Sequence, residues 1–243
     1  MLSKIYKIAY LKKYIPDPFF SIIKFIYHYL RYLNIIKVDY KIKKIISFNN
    51  NNFHSNNYFL NNIKKSKIYL EYGSGNSTLF LESKKKLVFS VEADRNFYLY
   101  LYNKINSKKI FLHYSFIGIT EYGSYPIFFY FAKFLFRKNY INYAKNILDQ
   151  IEKKKAYPDL VLIDGRFRVL CAIYLYLFIK KNYIKFKKKP LVIFDDFFIR
   201  DYYHHVNKFF YVKKVENFGV LYKIKNNVTN IEYYIKKYSY DPR

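Results

Sequence analysis

A chain of 243 residues with 52% apolar composition is long enough to bury one sizeable core, with room for a small appendage. Its formal charge of +27 would attract phosphate or an anionic surface. However, Lys outnumbers Arg 37 to 7 and Asn, Ile, Tyr and Phe abound while Ala, Gly, Pro and Trp are scarce. That is the bias of A- and T-rich coding DNA, so most of the charge reads as compositional and nucleic acid is not the favoured partner.

Cys171 is the single cysteine, which excludes an internal disulfide and fits a reducing compartment. No run of about 18 uncharged apolar residues is present to span a bilayer, and Met1 to Lys13 lacks the compact apolar core of a cleaved signal. The expected location is the cytoplasm.

Residues 1 to about 47 read as Lys-punctuated apolar helix, broken at Ile15-Pro16-Asp17-Pro18 and resuming over Phe19 to Tyr32. This stretch is expected to dock on the main domain, or to contact a membrane surface peripherally, since lysines and aromatics together suit an interface. Asn49 to Asn52, with Asn56 and Asn57, forms a polar loop. The expected organisation is an N-terminal extension over 1–60 and a main domain over 61–243.

From Lys67 onward short apolar runs alternate with helical stretches, the signature of a parallel sheet covered by helices on both faces. Strands are predicted at Ile68 to Glu71, Leu87 to Glu92, Ile110 to Tyr114, Leu160 to Asp164 and Leu191 to Asp195. Helices are predicted at Asn96 to Ile105, Tyr140 to Lys154 and Val169 to Tyr183, with Cys171 a buried thiol in the last. Phe210 to Val215 and Val220 to Ile224 flank Glu216-Asn217-Phe218-Gly219, an expected antiparallel hairpin with Gly219 supplying a positive φ at the turn.

Glycine is rare in this chain, so its positions carry information. Five of the six (Gly73, Gly75, Gly118, Gly123 and Gly165) lie between positions 73 and 165, at strand ends or in the loops after them, which points to binding loops. The first such loop, Glu71-Tyr72-Gly73-Ser74-Gly75-Asn76-Ser77-Thr78, runs from a strand through Gly-x-Gly into a helix and turns free backbone N–H groups toward a ligand. Glu92 then ends the second strand 17 positions after Gly75, where a carboxylate can accept hydrogen bonds from both ribose hydroxyls. Asp94, two residues on, reads as the cap of the following helix.

With these two motifs the sequence resembles the class I S-adenosylmethionine-dependent methyltransferases. Glu71, Gly73, Gly75 and Glu92 match that pattern, and Ser77 replaces a third glycine common in it. The resemblance implies a Rossmann-like α/β sheet, mostly parallel with an antiparallel C-terminal hairpin, over roughly Ile68 to Lys225. It also implies S-adenosylmethionine held by Glu71, Gly73, Ser74, Gly75, Ser77, Thr78 and Glu92. A nicotinamide dinucleotide or nucleotide-sugar enzyme is the alternative by fold analogy, although the dinucleotide fingerprint prefers a glycine where Thr78 stands. A basic module binding RNA or an anionic membrane is the non-enzymatic one.

Two further blocks follow later strands. Asp164-Gly165-Arg166-Phe167-Arg168 and Asp195-Asp196-Phe197-Phe198-Ile199-Arg200 gather acids and three of the seven arginines at the sheet edge where open α/β folds bind ligands. They resemble blocks of methyltransferase-like bacterial proteins. Asp164, Asp195 and Asp196 are candidate bases for a small polar acceptor methylated at oxygen, with Arg166, Arg168 and Arg200 around them. Mg²⁺ between the acids is an option by resemblance to catechol-type O-methyltransferases, but the arginines can neutralise the acids without it, and the metal-free arrangement is preferred. His204 and His205 are read as surface residues.

Overall fold

The structure, a computed structural model, describes residues 17–37, 57–121, 123–127, 129, 133–186, 189–216 and 218–243. The expectations for residues 1–16 and 38–47 and for the loop at Asn49 to Asn52 and Asn56 lie outside these residues. The chain forms α1 (Asp17–Tyr32), α2 (Asn57–Lys65), β1 (Ile68–Tyr72), α3 (Asn76–Ser83), β2 (Leu87–Glu92), α4 (Arg95–Tyr102) and β3 (Ile110–Tyr114). It continues through α5 (Arg137–Lys154), β4 (Leu160–Ile163), α6 (Arg168–Lys181), β5 (Leu191–Phe194), a 3-10 helix (Asp201–Lys208), β6 (Phe210–Val215), β7 (Phe218–Ile224) and α7 (Ile231–Tyr238).

All seven strands join one sheet in the order β3-β2-β1-β4-β5-β7-β6. The first five are parallel, while β7 runs antiparallel to both β5 and β6. Strand order reverses direction between β1 and β4, so the crevice beyond their carboxyl ends is the topological switch point where such sheets receive ligands.

Alternation along each strand sorts the core onto two faces. Leu70, Tyr72, Phe89, Val91, Val161 and Ile163 pack under α5 and α6. Tyr69, Val88, Leu160, Leu162 and Ile193 pack with Phe59 and Ile63 of α2 and Leu81 of α3 on the other face. Val169 to Ile173 of α6 are all buried, and Cys171 among them is fully enclosed, so burial pushes its thiol pKa well up.

The hairpin forms where the sequence predicts it, but its turn differs. Gly219 lies inside β7, and the residue with positive φ is Glu216, at 53°. Asn217 is outside the described residues. The glycine at 219 answers a packing constraint: a Cβ there would lie 2.5 Å from the ring of Phe197. The first-strand and last-strand boundaries also extend beyond their predicted limits, β1 to Tyr72 and β7 back to Phe218.

Candidate active site

The loops after β1 and β4 meet backbone to backbone at the switch point. Gly73 has φ +95°, and a Cβ on it would stand 2.8 Å from Gly165 Cα. A Cβ on Gly165 would stand 2.8 Å from Gly73 N and 2.1 Å from the Tyr143 hydroxyl. No side chain fits between them, and both glycines face a cavity of about 410 Å³ at the carboxyl edge of the sheet. That volume falls within the ordinary range for small-molecule and cofactor sites.

Gly75 is different. Its backbone is extended at φ −179°, and a Cβ there would meet nothing within 4 Å. The protein's own packing therefore does not require this glycine.

Glu71 points to the α3 side of the sheet, as its register two residues from Tyr69 dictates, and is fully buried. Ser77 and Thr78 donate their hydroxyls to it, Ser90 donates at 2.7 Å and Tyr69 at 3.2 Å. Burial raises the Glu71 pKa, and these four hydroxyls partly oppose the rise. Thr78 Oγ1 also accepts from Gly75 N at 3.0 Å, closing the first turn of α3. Glu71, Gly75, Ser77 and Thr78 thus shape the loop from behind and do not line the cavity, whereas Gly73 and Ser74 do.

Glu92, at the tip of β2, also lines the cavity. Its Oε1 accepts from Ala93 N and Asp94 N, each at 2.8 Å, and from Ser124 Oγ at 2.7 Å. Oε2 has no hydrogen bond to any described residue. Burial lifts its pKa to about 7 against the stabilising bonds from the Asp94 amide and the Ser124 hydroxyl. The carboxylate is thus fixed in orientation with one oxygen left over, an arrangement suited to accepting ligand hydroxyls.

Asp94 caps α4, accepting from Asn96 N and Phe97 N at 3.0 Å each, as the sequence predicts. It also forms a buried ion pair with Arg31 of α1. Nothing local in the sequence signals that pairing, because the partners lie 63 residues apart.

The acids after β4 and β5 converge on a single guanidinium. Arg168, the first residue of α6, is 2.8 Å from Asp164 Oδ1, 3.7 Å from Asp195 Oδ2 and 3.6 Å from Asp196 Oδ2. It donates further to the carbonyls of Asp195 at 2.9 Å and Gly165 at 3.1 Å. Arg200 pairs with Asp196 at 3.2 Å.

Partial burial, reinforced by the neighbouring carboxylates and opposed by Arg168, raises the Asp164 pKa well above the usual carboxylate range. Burial raises Asp195 as well, and the neighbouring Asp164 and Arg168 oppose that rise. Of the three acids only Asp164 lines the cavity, alongside Arg166 and Arg168.

Arg166 does not neutralise any of the acids, contrary to its predicted pairing. Its Nε donates to Gly123 O at 2.6 Å and its guanidinium lies 5.7 Å from the centre of the Tyr125 ring. It therefore locks the loop after β3 to the loop after β4. Lys cannot make that planar contact, which accounts for an arginine in so Lys-rich a chain. His204 and His205 are half-buried on the 3-10 helix and do not line the cavity.

Sequence reasoning missed Ser124, Tyr143 and Phe97 as cavity residues. Tyr143 is one tyrosine among 31 and carries no local signal. Ser124 lies in the loop after β3, a segment the sequence marks as functional without singling out a residue.

No protein-family model matches the sequence, and no curated protein sequence is significantly similar to it. Among solved structures, the chain is similar to a methyltransferase-like protein from Silicibacter pomeroyi, with a TM-score of 0.59 and 22% identity over 74% of this chain and 90% of that one. The chain shares that protein's fold, a Rossmann-like and mostly parallel α/β sheet with an antiparallel C-terminal hairpin. Among the described residues no helix is long and apolar enough to cross a membrane.

Proposed function

We propose that the chain binds S-adenosylmethionine in this cavity and transfers its methyl group to the oxygen of a small polar acceptor. The observation that carries the reading is Glu92, held by three donors on one carboxylate oxygen and without a described partner on the other, in the same cavity as the Gly73–Gly165 contact. A ribose diol is the natural partner for such a carboxylate. The bare backbone at Gly73 and Gly165 admits the amino-acid end of the cofactor.

When bound, the cofactor supplies an electrophilic methyl group on a sulfonium. The protein's contribution is alignment and proton removal. Asp164, the acid of the cluster that lines the cavity, is the group placed to take the acceptor proton. Arg168 fixes the Asp164 side chain through Oδ1, and Asp195 and Asp196 hold Arg168 in turn.

Mg²⁺ does not fit this cluster. The guanidinium of Arg168 already stands among the three carboxylates a metal would need, and Arg200 takes up Asp196 again. A divalent ion would face that fixed positive charge.

The test is a ligand panel by thermal unfolding. S-adenosylhomocysteine should raise the melting temperature in a dose-dependent way, as any ligand selective for the native state does, while NAD and nucleotide sugars should not. Stabilisation by NAD or a nucleotide sugar alone would replace this reading.

A further inference from the structure

Helix α1 lies on the domain with its polar side inward. Phe19, Ile22, Ile23, Ile26, Tyr29 and Leu33 recur at intervals of three and four, one stripe along a helix continued into its following turn, and all six are exposed, Phe19 by 63% and Ile26 by 50%. The opposite face meets the body. There Arg31 pairs with Asp94, Lys24 lies 2.5 Å from Glu121, and His28 is buried, with its pKa pushed down to about 4 by burial and by the neighbouring Arg31 and Lys24 charges. The C-terminal end is fastened too: Asn96 Nδ2 donates to Arg31 O at 2.6 Å, and the Arg95 guanidinium sits 5.2 Å from the centre of the Tyr32 ring. A helix whose only role was to cover a core would turn the apolar stripe inward.

We propose that this stripe seats α1 in the plane of an anionic lipid bilayer surface. A formal charge of +27 draws the whole molecule to anionic headgroups whatever produced that charge. Once there, a 16-residue helix presents a stripe of Ile, Phe, Tyr and Leu, the composition of helices that lie in the headgroup boundary.

Two other occupants fit less well. A nucleic acid would need the cations of α1 outward, and they face in. A second copy would bring two strongly cationic chains together against their mutual repulsion. The proposal does not depend on the methyl-transfer reading.

The test uses the full chain in flotation with phosphatidylglycerol–phosphatidylcholine vesicles, at low salt and again at high salt, where headgroup attraction to exposed charges is screened. The wild type should float and keep a salt-resistant fraction. The double variant Ile22→Gln/Ile26→Gln, with unchanged circular dichroism, should keep its low-salt binding and lose about tenfold or more of the salt-resistant partition. Phe19→Ser/Ile23→Ser, on the same stripe, should do the same and serves if the first variant folds poorly. No flotation, flotation abolished by salt in the wild type, or equal salt-resistant binding in the stripe variants would each overturn the proposal. So would a concentration-dependent dimer that the substitutions dissociate without any change in flotation, since the stripe would then belong to a second copy.

Discussion

Gly73 and Gly165 touch through their backbones across the β1–β4 junction, with room for a Cβ on neither. The contact draws together the two loops that bound the cavity on one side, and it predicts a graded response to substitution. Gly165→Ala forces a methyl against the Tyr143 hydroxyl and the Gly73 amide, and should cost about 1–3 kcal/mol of stability as overpacking does. Gly73→Ala adds the strain of φ +95° to a similar clash. Gly75→Val meets nothing in the protein and lies off the cavity, so it should fold and bind almost as the wild type does and serves as the control. Thermal unfolding of the three variants separates these outcomes, and a Gly165→Ala as stable as Gly75→Val would contradict the backbone contact.

Glu92 should impose a pH dependence of known sign. Its pKa is raised in the folded protein from 4.5 to about 7, so its contribution to stability is fully present below the unfolded value and is lost as pH rises through 7. Ligand affinity should move the opposite way. The ionised carboxylate accepts two hydroxyl hydrogen bonds, so binding should strengthen over roughly pH 6 to 8. Glu92→Gln should flatten both profiles. A wild-type affinity independent of pH over that interval would show that ionised Glu92 is not the acceptor.

Arg168 holds three carboxylates, so its loss should be felt by all of them. Arg168→Met should cost about 2–3 kcal/mol, somewhat less than stranding a fully buried ion because the acids are partly wet. Arg168→Lys should recover only part of this, since an ammonium cannot make the forked contacts to Asp164 and to the Asp195 and Gly165 carbonyls. Chemical denaturation measures the cost directly. Stability in Arg168→Met equal to wild type would mean that the cluster does not depend on the guanidinium.

Arg31 and Asp94 tie α1 to the site. Removing the guanidinium in Arg31→Met leaves a buried carboxylate without its closest cation and should cost about 3 kcal/mol or more. Hydrogen exchange over residues 17–32 should rise in that variant well before exchange in β1 or β4 does. Uniform loss of protection across the sheet would mean that α1 and the domain unfold as one unit.

The sheet was legible because its signals are local: apolar runs of strand length, a Gly-x-Gly turn into a helix, an acid ending the second strand. The hairpin was legible for the same reason, yet Gly219 was misread, because a glycine excluded by the Phe197 ring looks identical in sequence to one at a turn. Glu71, Ser77 and Thr78 stand where the resemblance puts cofactor residues, but side-chain direction along β1 turns Glu71 toward the two hydroxyls instead of the cavity. The division of labour between Arg166 and Arg168 was also hidden, since it depends on where the loop after β3 folds back. Contacts made at long range in the chain, Arg31 with Asp94 above all, leave no periodicity or motif to read.

Calorimetric titration of S-adenosylhomocysteine into the wild type and Glu92→Ala tests the central claim most directly. The wild type should bind one equivalent, and Glu92→Ala, folded by circular dichroism, should bind more weakly by about 1.5–3 kcal/mol, the usual worth of hydrogen bonds to a charged group. No binding to the wild type, or equal affinity in the two proteins, would contradict the account.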